Sequence, residues 1–218
     1  MTKSAETAHD LVVFGATSFV GQILTRYLLE TYGVGKSVKW AIAGRSESKL
    51  NALKSELGDN GKDLPVILAD ASDEAALKSM CEQTRVIIST VGPYALYGEP
   101  LVQACVRSGT DYCDLTGEVQ WIGKMVQRYE EEAKASGARI VHCCGFDSIP
   151  SDMGVWFLQN QAEQTFGEPC RDVRMRVKTA KGEFSGGTVA SLMNAVKEAS
   201  ADPKLRKQMA NPFSICPP

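Results

Sequence analysis

Short apolar runs alternate with amphipathic stretches of helical spacing along the first 150 residues. The stretch that begins at Val20, for example, continues at Ile23 and Tyr27 on one helix face. The continuous apolar character of the runs is typical of strands buried on both faces of a parallel sheet. The six predicted strands are 11–14, 40–43, 66–68, 86–88, 112–115 and 139–142. Because right-handed crossovers place helices on both faces, this alternation predicts a doubly wound α/β sheet with strand order 3-2-1-4-5-6.

The pattern changes after Pro150. A helix is predicted from about 152 to 164, residues 172–177 alternate with period two, and two helical stretches then follow on either side of Asp202-Pro203. One half-exposed antiparallel strand cannot form a sheet alone. We therefore predict a first domain over residues 1–150 and the beginning of a second, α+β domain over residues 151–218. Its open strand edges predict aggregation or a homodimer through this second part.

Composition excludes several classes of protein. The 24 Lys and Arg against 26 Asp and Glu give a net charge of −2, so the basic excess of a nucleic-acid-binding protein is missing. The polar start, Met1–Asp10, has no apolar core of a signal peptide, and no apolar run approaches the ~20 residues of a membrane span. Seven cysteines, an odd number, predict free thiols in a reducing compartment, hence a cytoplasmic protein. Two histidines without a Cys-x-x-Cys pair make a zinc site an unfavoured interpretation.

A glycine-containing loop joins the first strand to the first helix, where a dinucleotide-binding sheet holds its pyrophosphate on helix N–H groups. Gly15 allows the tight turn, Gly21 allows close packing of the helix, and Ser18 stands where the G-x-x-G-x-x-G spacing has its middle glycine. The alternative is a strand-to-helix turn that binds nothing. The predicted cofactor-binding residues of this loop are Gly15, Thr17, Ser18, Phe19, Val20 and Gly21.

The end of the second strand discriminates between NAD and NADP. An NAD site usually carries Asp or Glu there for the ribose 2′-OH, whereas this strand ends in Gly44-Arg45-Ser46. The Arg45 guanidinium suits a 2′-phosphate, and Ser46 could add a donor. Alternatively Arg45 is a solvated loop residue and Ser46 caps the next helix. We favour NADP as the cofactor.

Two further strand ends complete the predicted cofactor site. Asp70 could accept a hydrogen bond from the adenine amino group, or it could begin a turn. The segment after the fourth strand would lie beside the ribose and nicotinamide, with Tyr97 as a nearby phenol. Its predicted cofactor-binding residues are Thr90, Val91, Gly92, Pro93 and Tyr94.

Five segments together resemble a known family: Gly15–Gly21, Ala43–Ser46, Thr90–Tyr94, Tyr112–Glu118 and Cys144–Asp152. The chain resembles the N-terminal part of the saccharopine dehydrogenase-like oxidoreductases, in the branch that includes the trans-acting enoyl reductases. The resemblance departs from the family at Ser18 and in the second domain, which is mostly missing.

The resemblance implies a Rossmann-type NADP-binding domain followed by an α+β domain, in proteins about twice this length. It implies NADP-dependent reduction of a hydrophobic acyl or lipid-type substrate in lipid metabolism, with peripheral membrane association as in some relatives. Two alternatives remain open. One is a saccharopine-type dehydrogenase of amino-acid metabolism, and the other is a non-catalytic NADP-binding protein.

A nicotinamide reductase needs orientation and sometimes a proton donor rather than a nucleophile, so the catalytic residue stays unassigned. The candidates near the expected nicotinamide position are Tyr94, Glu118 and Asp147, with Asp114 as a further acid. For Asp147 and Ser148 the alternative is capping of the next helix, whose first turn would hold Pro150. The run His142-Cys143-Cys144 is interpreted as a buried strand end, because three neighbours on a strand cannot all face one metal ion.

Overall fold

The predicted sheet is present in the computed structural model, which describes residues 7–182 and 184–216. The prediction about the polar start rests largely on residues 1–6, which lie outside the described residues, as do 183 and 217–218. All strand pairs are parallel, and the order β3-β2-β1-β4-β5-β6 confirms the predicted topology. The strands are β1 His9–Phe14, β2 Trp40–Gly44, β3 Val66–Leu68, β4 Thr84–Ser89, β5 Asp111–Asp114 and β6 Ile140–Val141.

Helices connect successive strands, and short polar side chains begin several of them. Ser18, Ser46 and Asp73 are N-caps whose side chains accept a backbone N–H from the first turn. The helices are α1 Phe19–Tyr32, α2 Glu47–Glu56, α3 Glu74–Glu82, α4 Tyr94–Tyr97, α5 Glu99–Ser108, α6 Val119–Ser136, α7 Ile149–Phe166, α8 Gly186–Ala201 and α9 Pro203–Met209, with a 3-10 turn at Gly58–Gly61.

The core has two layers, one on each face of the sheet. Helices α3, α5 and α6 cover one face, where Ile87, Leu101 and Met125 are buried. Helices α1 and α2 cover the other face, where Ile42 and Leu50 are fully buried. Because β1 and β4 are neighbours, the connections from them leave in opposite directions and open a crevice at the carboxyl ends of the strands.

The strand predicted at 172–177 is wrong: these residues form no strand. A strand is stable only when its backbone groups pair with a neighbour, and no described residues pair with this segment. Its apolar side chains Met175 and Val177 are mainly exposed. After residue 150 the regular secondary structure of the described residues is helical, in α7, α8 and α9.

Candidate functional site

A cleft of about 590 Å³ lies at the carboxyl ends of the strands, at the point where the connections from β1 and β4 leave in opposite directions. It brings together residues from the loops after β1, β2, β3 and β4. The predicted cofactor-binding residues that line it are Gly15, Thr17, Ser18, Arg45, Asp70, Thr90, Val91 and Gly92. A crevice at this position of an open parallel sheet is where such folds bind their ligands.

Two glycines permit the close approach of α1 to the sheet. Gly15 has φ +87°, and a Cβ atom there would lie 2.6 Å from Val91 Cγ2. At Gly21 a Cβ atom would lie 2.2 Å from the Gly15 carbonyl oxygen. Neither position accommodates a side chain without moving its surroundings, so the two glycines set the shape of the loop.

Ser18 has a structural role that the sequence analysis did not assign. Its Oγ accepts a hydrogen bond from Gly21 N at 3.0 Å and lies 2.9 Å from Thr90 Oγ1. Thr90 in turn donates to the Gly15 carbonyl at 2.9 Å. Ser18 therefore caps α1 and connects the loop after β1 to the end of β4.

The outer end of the cleft combines a cation with a fixed carboxylate. Arg45 is exposed at the tip of β2 and lines the cleft. Asp70 accepts from the hydroxyl and the amide of Ser72, at 2.7 and 2.9 Å, and these hydrogen bonds lower the pKa of Asp70. Ser46 caps α2 through Lys49 N at 3.4 Å, so the capping alternative stated for it is confirmed.

Some of the predicted cofactor-binding residues do not line the cleft, and some residues that line it were not predicted. Phe19 is 69% exposed and, like Val20, Gly21, Ser46, Pro93 and Tyr94, does not line it. Tyr97, predicted as a nearby phenol, lines the cleft, and the lining residues that the cofactor prediction omitted are Phe14, Gly44, Ala69, Ala71, Ser72, Leu96 and Pro100. Their positions in the sequence could have identified them, because most lie within three residues of a strand end or in the short helix after Pro93.

A second chamber of about 390 Å³ shares Thr90 and Gly92 with the cleft. All three candidate catalytic residues, Tyr94, Glu118 and Asp147, line it. Its opposite wall is formed by α8 and by Met209. The residues of α8 that contribute are Gly187, Thr188, Ser191, Leu192 and Ala195. Sequence reasoning missed this wall, because no local pattern shows where α8 packs.

The three candidates occupy different environments. Tyr94 is 5% exposed, donates its hydroxyl to the Ser89 carbonyl at 3.0 Å, and has its pKa raised by burial and by the Asp114 carboxylate. Glu118 is also 5% exposed and accepts from Tyr94 N at 2.8 Å and Ala95 N at 3.0 Å. Asp147, by contrast, is exposed.

The capping alternative is wrong for the Ser148 side chain. Pro150 lies in the first turn of α7 as expected, but Ser148 at the N-cap makes no side-chain cap hydrogen bond. Its backbone is helical (φ −109°, ψ −55°), and this geometry does not direct the hydroxyl toward the first amides.

Behind the chamber, Asp114 is the centre of a buried polar network. It is 1% exposed and lies 2.7 Å from His142 Nδ1, and it accepts from the Tyr112 hydroxyl at 2.9 Å. Strand β6 ends at Val141, so His142 directly follows a strand end. In the described part of the chain, no group of three or more His, Cys, Asp or Glu could hold a metal ion. Among the described helices, none has the length and apolar character that a membrane span requires.

Comparison with known proteins agrees with this geometry. The saccharopine dehydrogenase NADP-binding domain family matches residues 11–141. A trans-acting enoyl reductase of Mycobacterium tuberculosis is 40% identical over 212 residues, which is 97% of this chain and 50% of that protein. The trans-acting enoyl reductase of Mycobacterium ulcerans is 38% identical over 213 residues, again 97% of this chain and 50% of that protein. The chain thus spans about half the length of the curated relatives it matches.

A solved structure shares the fold. Saccharopine dehydrogenase (L-Glu forming) from Saccharomyces cerevisiae superimposes with a TM-score of 0.56 at 18% identity, covering 72% of this chain and 32% of that one. At this identity the likeness concerns the fold alone. Together the matches confirm the predicted resemblance, the Rossmann-type α/β fold and NADP as the cofactor of the matching domain.

Proposed function

Since this chain belongs to the saccharopine dehydrogenase family through its NADP-binding domain, we propose that the protein is an NADPH-dependent oxidoreductase that reduces a hydrophobic acyl or lipid-type substrate. The observation that carries the proposal is the cleft itself. It lies at the switch point of the sheet and has Arg45, rather than a carboxylate, at the tip of β2. Residues 1–150 are the cofactor domain of this proposal, and residues 151–218 begin the substrate or dimerisation domain.

We propose that the loop after β1 holds the pyrophosphate on the N–H groups at the start of α1. Arg45 would pair with the 2′-phosphate, with Ser46 beside it, and Asp70 would face the adenine. The segment 90–94 would lie along the ribose and nicotinamide. In the loop 15–21, Phe19 and Val20 would contribute through the backbone, because neither lines the cleft, and Gly21, which has no side chain, would do the same.

The bound nicotinamide would supply the hydride, and this chain would supply orientation. The side chains of Tyr94 and Glu118 are hydrogen-bonded to backbone groups, so they shape the wall of the second chamber. Asp147 is exposed and lines the same chamber, and it is therefore the candidate that can contact a substrate directly. Burial raises the pKa of the Tyr94 phenol further above neutral pH, so this group is available as a hydrogen-bond donor but not as a base.

The substrate class follows from the chamber wall and from the relatives. Leu115, Leu192 and Met209 give the chamber an apolar side, which suits an acyl chain better than an amino acid. The matched mycobacterial proteins carry the name trans-acting enoyl reductase. We extend the proposal to a cytoplasmic protein that contacts membrane lipid peripherally and dimerises through residues 151–218. Trp156 and Phe157, each more than 60% exposed on α7, support such contacts.

Turnover separates the candidate functions. We expect oxidation of NADPH, followed by its absorbance, with a long-chain 2-enoyl thioester, and no reduction of NADP⁺ with saccharopine. The opposite preference would make the protein an amino-acid dehydrogenase. Tight NADPH binding without turnover of either substrate would make it a non-catalytic NADP-binding protein.

A further inference from the structure

We infer that Glu118 is a positioning residue that couples the cofactor loop after β4 to helix α8, so that NADPH binding orders the wall of the second chamber. The inference rests on the proposed function, because it takes NADPH as the ligand of the cleft. It concerns three groups: the Glu118 carboxylate, the backbone at the start of α4, and the Ser191 hydroxyl on α8.

The first link is between Glu118 and the loop after β4. The N-cap of α4 is Pro93, which makes no side-chain cap hydrogen bond, so the first amides of this helix lack a local partner. Glu118 supplies it, with Oε1 accepting from Tyr94 N and Oε2 accepting from Ala95 N. Gly92 and Leu96, on either side of these amides, line the cofactor cleft. A ligand that fixes this loop therefore also fixes the carboxylate.

The second link is between Glu118 and α8. The Ser191 hydroxyl donates to Glu118 Oε1 at 2.9 Å, across 73 residues of sequence. The same turn of α8 carries Thr188 and Leu192 into the chamber wall. Since Glu118 is 5% exposed, little water competes for these bonds, and charge-assisted hydrogen bonds are stronger than neutral ones.

Glu118 itself is held in place from its own side of the chain. Its backbone N–H donates to Thr116 Oγ1 at 3.1 Å, and Thr116 N donates to the buried Asp114 at 3.1 Å. The carboxylate thus sits on a short, fixed segment between β5 and α6. With its backbone held, the carboxylate can pass the order of one partner to the other, which a side chain on a mobile segment would not do.

A neighbouring contact provides an internal comparison. Gln120 Nε2 donates to Glu198 Oε2 at 3.0 Å, so a second bond ties α8 to the start of α6. No hydrogen bond of Gln120 with residues 92–97 is present among the described contacts. Loss of this bond should loosen α8 equally with and without NADPH, whereas loss of the Ser191 bond should remove the response of α8 to NADPH.

Amide hydrogen exchange with and without saturating NADPH tests the coupling. In the wild-type protein we expect NADPH to slow exchange in both 92–97 and 189–200. Ser191→Ala should keep the slowing at 92–97 but reduce that at 189–200 by at least about threefold, because the linking bond is gone. Ser200→Ala is the matched control: among the described residues its hydroxyl donates a hydrogen bond to the Val196 carbonyl of the same helix and to no other group, so its response should equal that of the wild type. Gln120→Ala should raise exchange of α8 in both states and keep the NADPH response.

The outcomes distinguish failure of the coupling from failure of the proposed function. If Ser191→Ala shows the same NADPH response of α8 as the wild type, the coupling is refuted while the proposed function stands. If NADPH binds and α8 does not respond even in the wild type, the coupling is likewise refuted. If NADPH does not bind the wild-type protein, the proposed function fails and this inference fails with it.

Discussion

Replacement of Gly21 by alanine tests whether close packing of α1 sets the stability of the fold. A Cβ atom at this position would lie 2.2 Å from the Gly15 carbonyl oxygen and 2.8 Å from Ala16 Cα, all of it rigid backbone. Ordinary contact requires α1 to move by about 1 Å, and overpacking of this severity costs about 3 kcal/mol. Better helix propensity returns about 1 kcal/mol. We therefore expect a net loss of about 2 kcal/mol and loss of NADPH binding.

Gly154→Ala is the matched control for this variant. Gly154 also lies inside a helix, but nothing is within 4 Å of a Cβ atom placed there. It should gain up to about 1 kcal/mol from propensity alone. Urea unfolding followed by circular dichroism gives both free energies, and an NADPH titration gives binding. A Gly21→Ala protein as stable as Gly154→Ala, with NADPH binding intact, would refute the reasoning.

Three further results are expected. Ser18→Gly should retain NADPH binding and lose about 1 kcal/mol of stability, because glycine is an acceptable N-cap but the hydrogen bond to Thr90 is lost. A folded variant that no longer binds NADPH would show that the hydroxyl is a required ligand. Burial and the neighbouring Cys144 thiol raise the pKa of Cys113 to about 12, so at pH 8 only about one molecule in 10⁴ carries the Cys113 thiolate. Iodoacetamide should therefore modify the exposed Cys216 before Cys113, as measured by peptide mass spectrometry, and equal rates of modification would contradict this. Amides of 172–178 should exchange far faster than that of Ile87, because they belong to no strand; equal protection in a monomer would mean that a partner strand is present.

The fold could be predicted as far as local pattern determines it. Continuous apolar runs and helical stripes alternate up to residue 142, and each run became a strand in the predicted order. The prediction failed at 172–177, because this segment alternates with period two but has no neighbouring strand among the described residues. Periodicity indicates what a segment can form, but pairing decides whether it forms.

The site residues likewise separate into those that local pattern could place and those that it could not. Gly15, Arg45 and Asp70 could be placed from sequence, because the carboxyl ends of parallel strands share one edge. The roles of Glu118 and Ser191 could not, because they depend on contacts across 23 and 73 residues that no local motif encodes. Capping by Ser148 was the alternative that its position before Pro150 suggested, and the helical backbone at Ser148 leaves it without a side-chain cap hydrogen bond.

The most direct test of the account is a calorimetric titration of NADPH and NADH into the wild-type protein and Arg45→Ala. The wild type should bind NADPH about 10- to 150-fold more tightly than NADH, the equivalent of a charge-assisted pairing of about 1.5–3 kcal/mol. Arg45→Ala should lose that preference and keep its NADH affinity, while Arg176→Ala, an exposed arginine outside the cleft, should behave as the wild type. Equal losses for both cofactors in Arg45→Ala, or a wild type that prefers NADH, would contradict the assignment of this cleft to NADP.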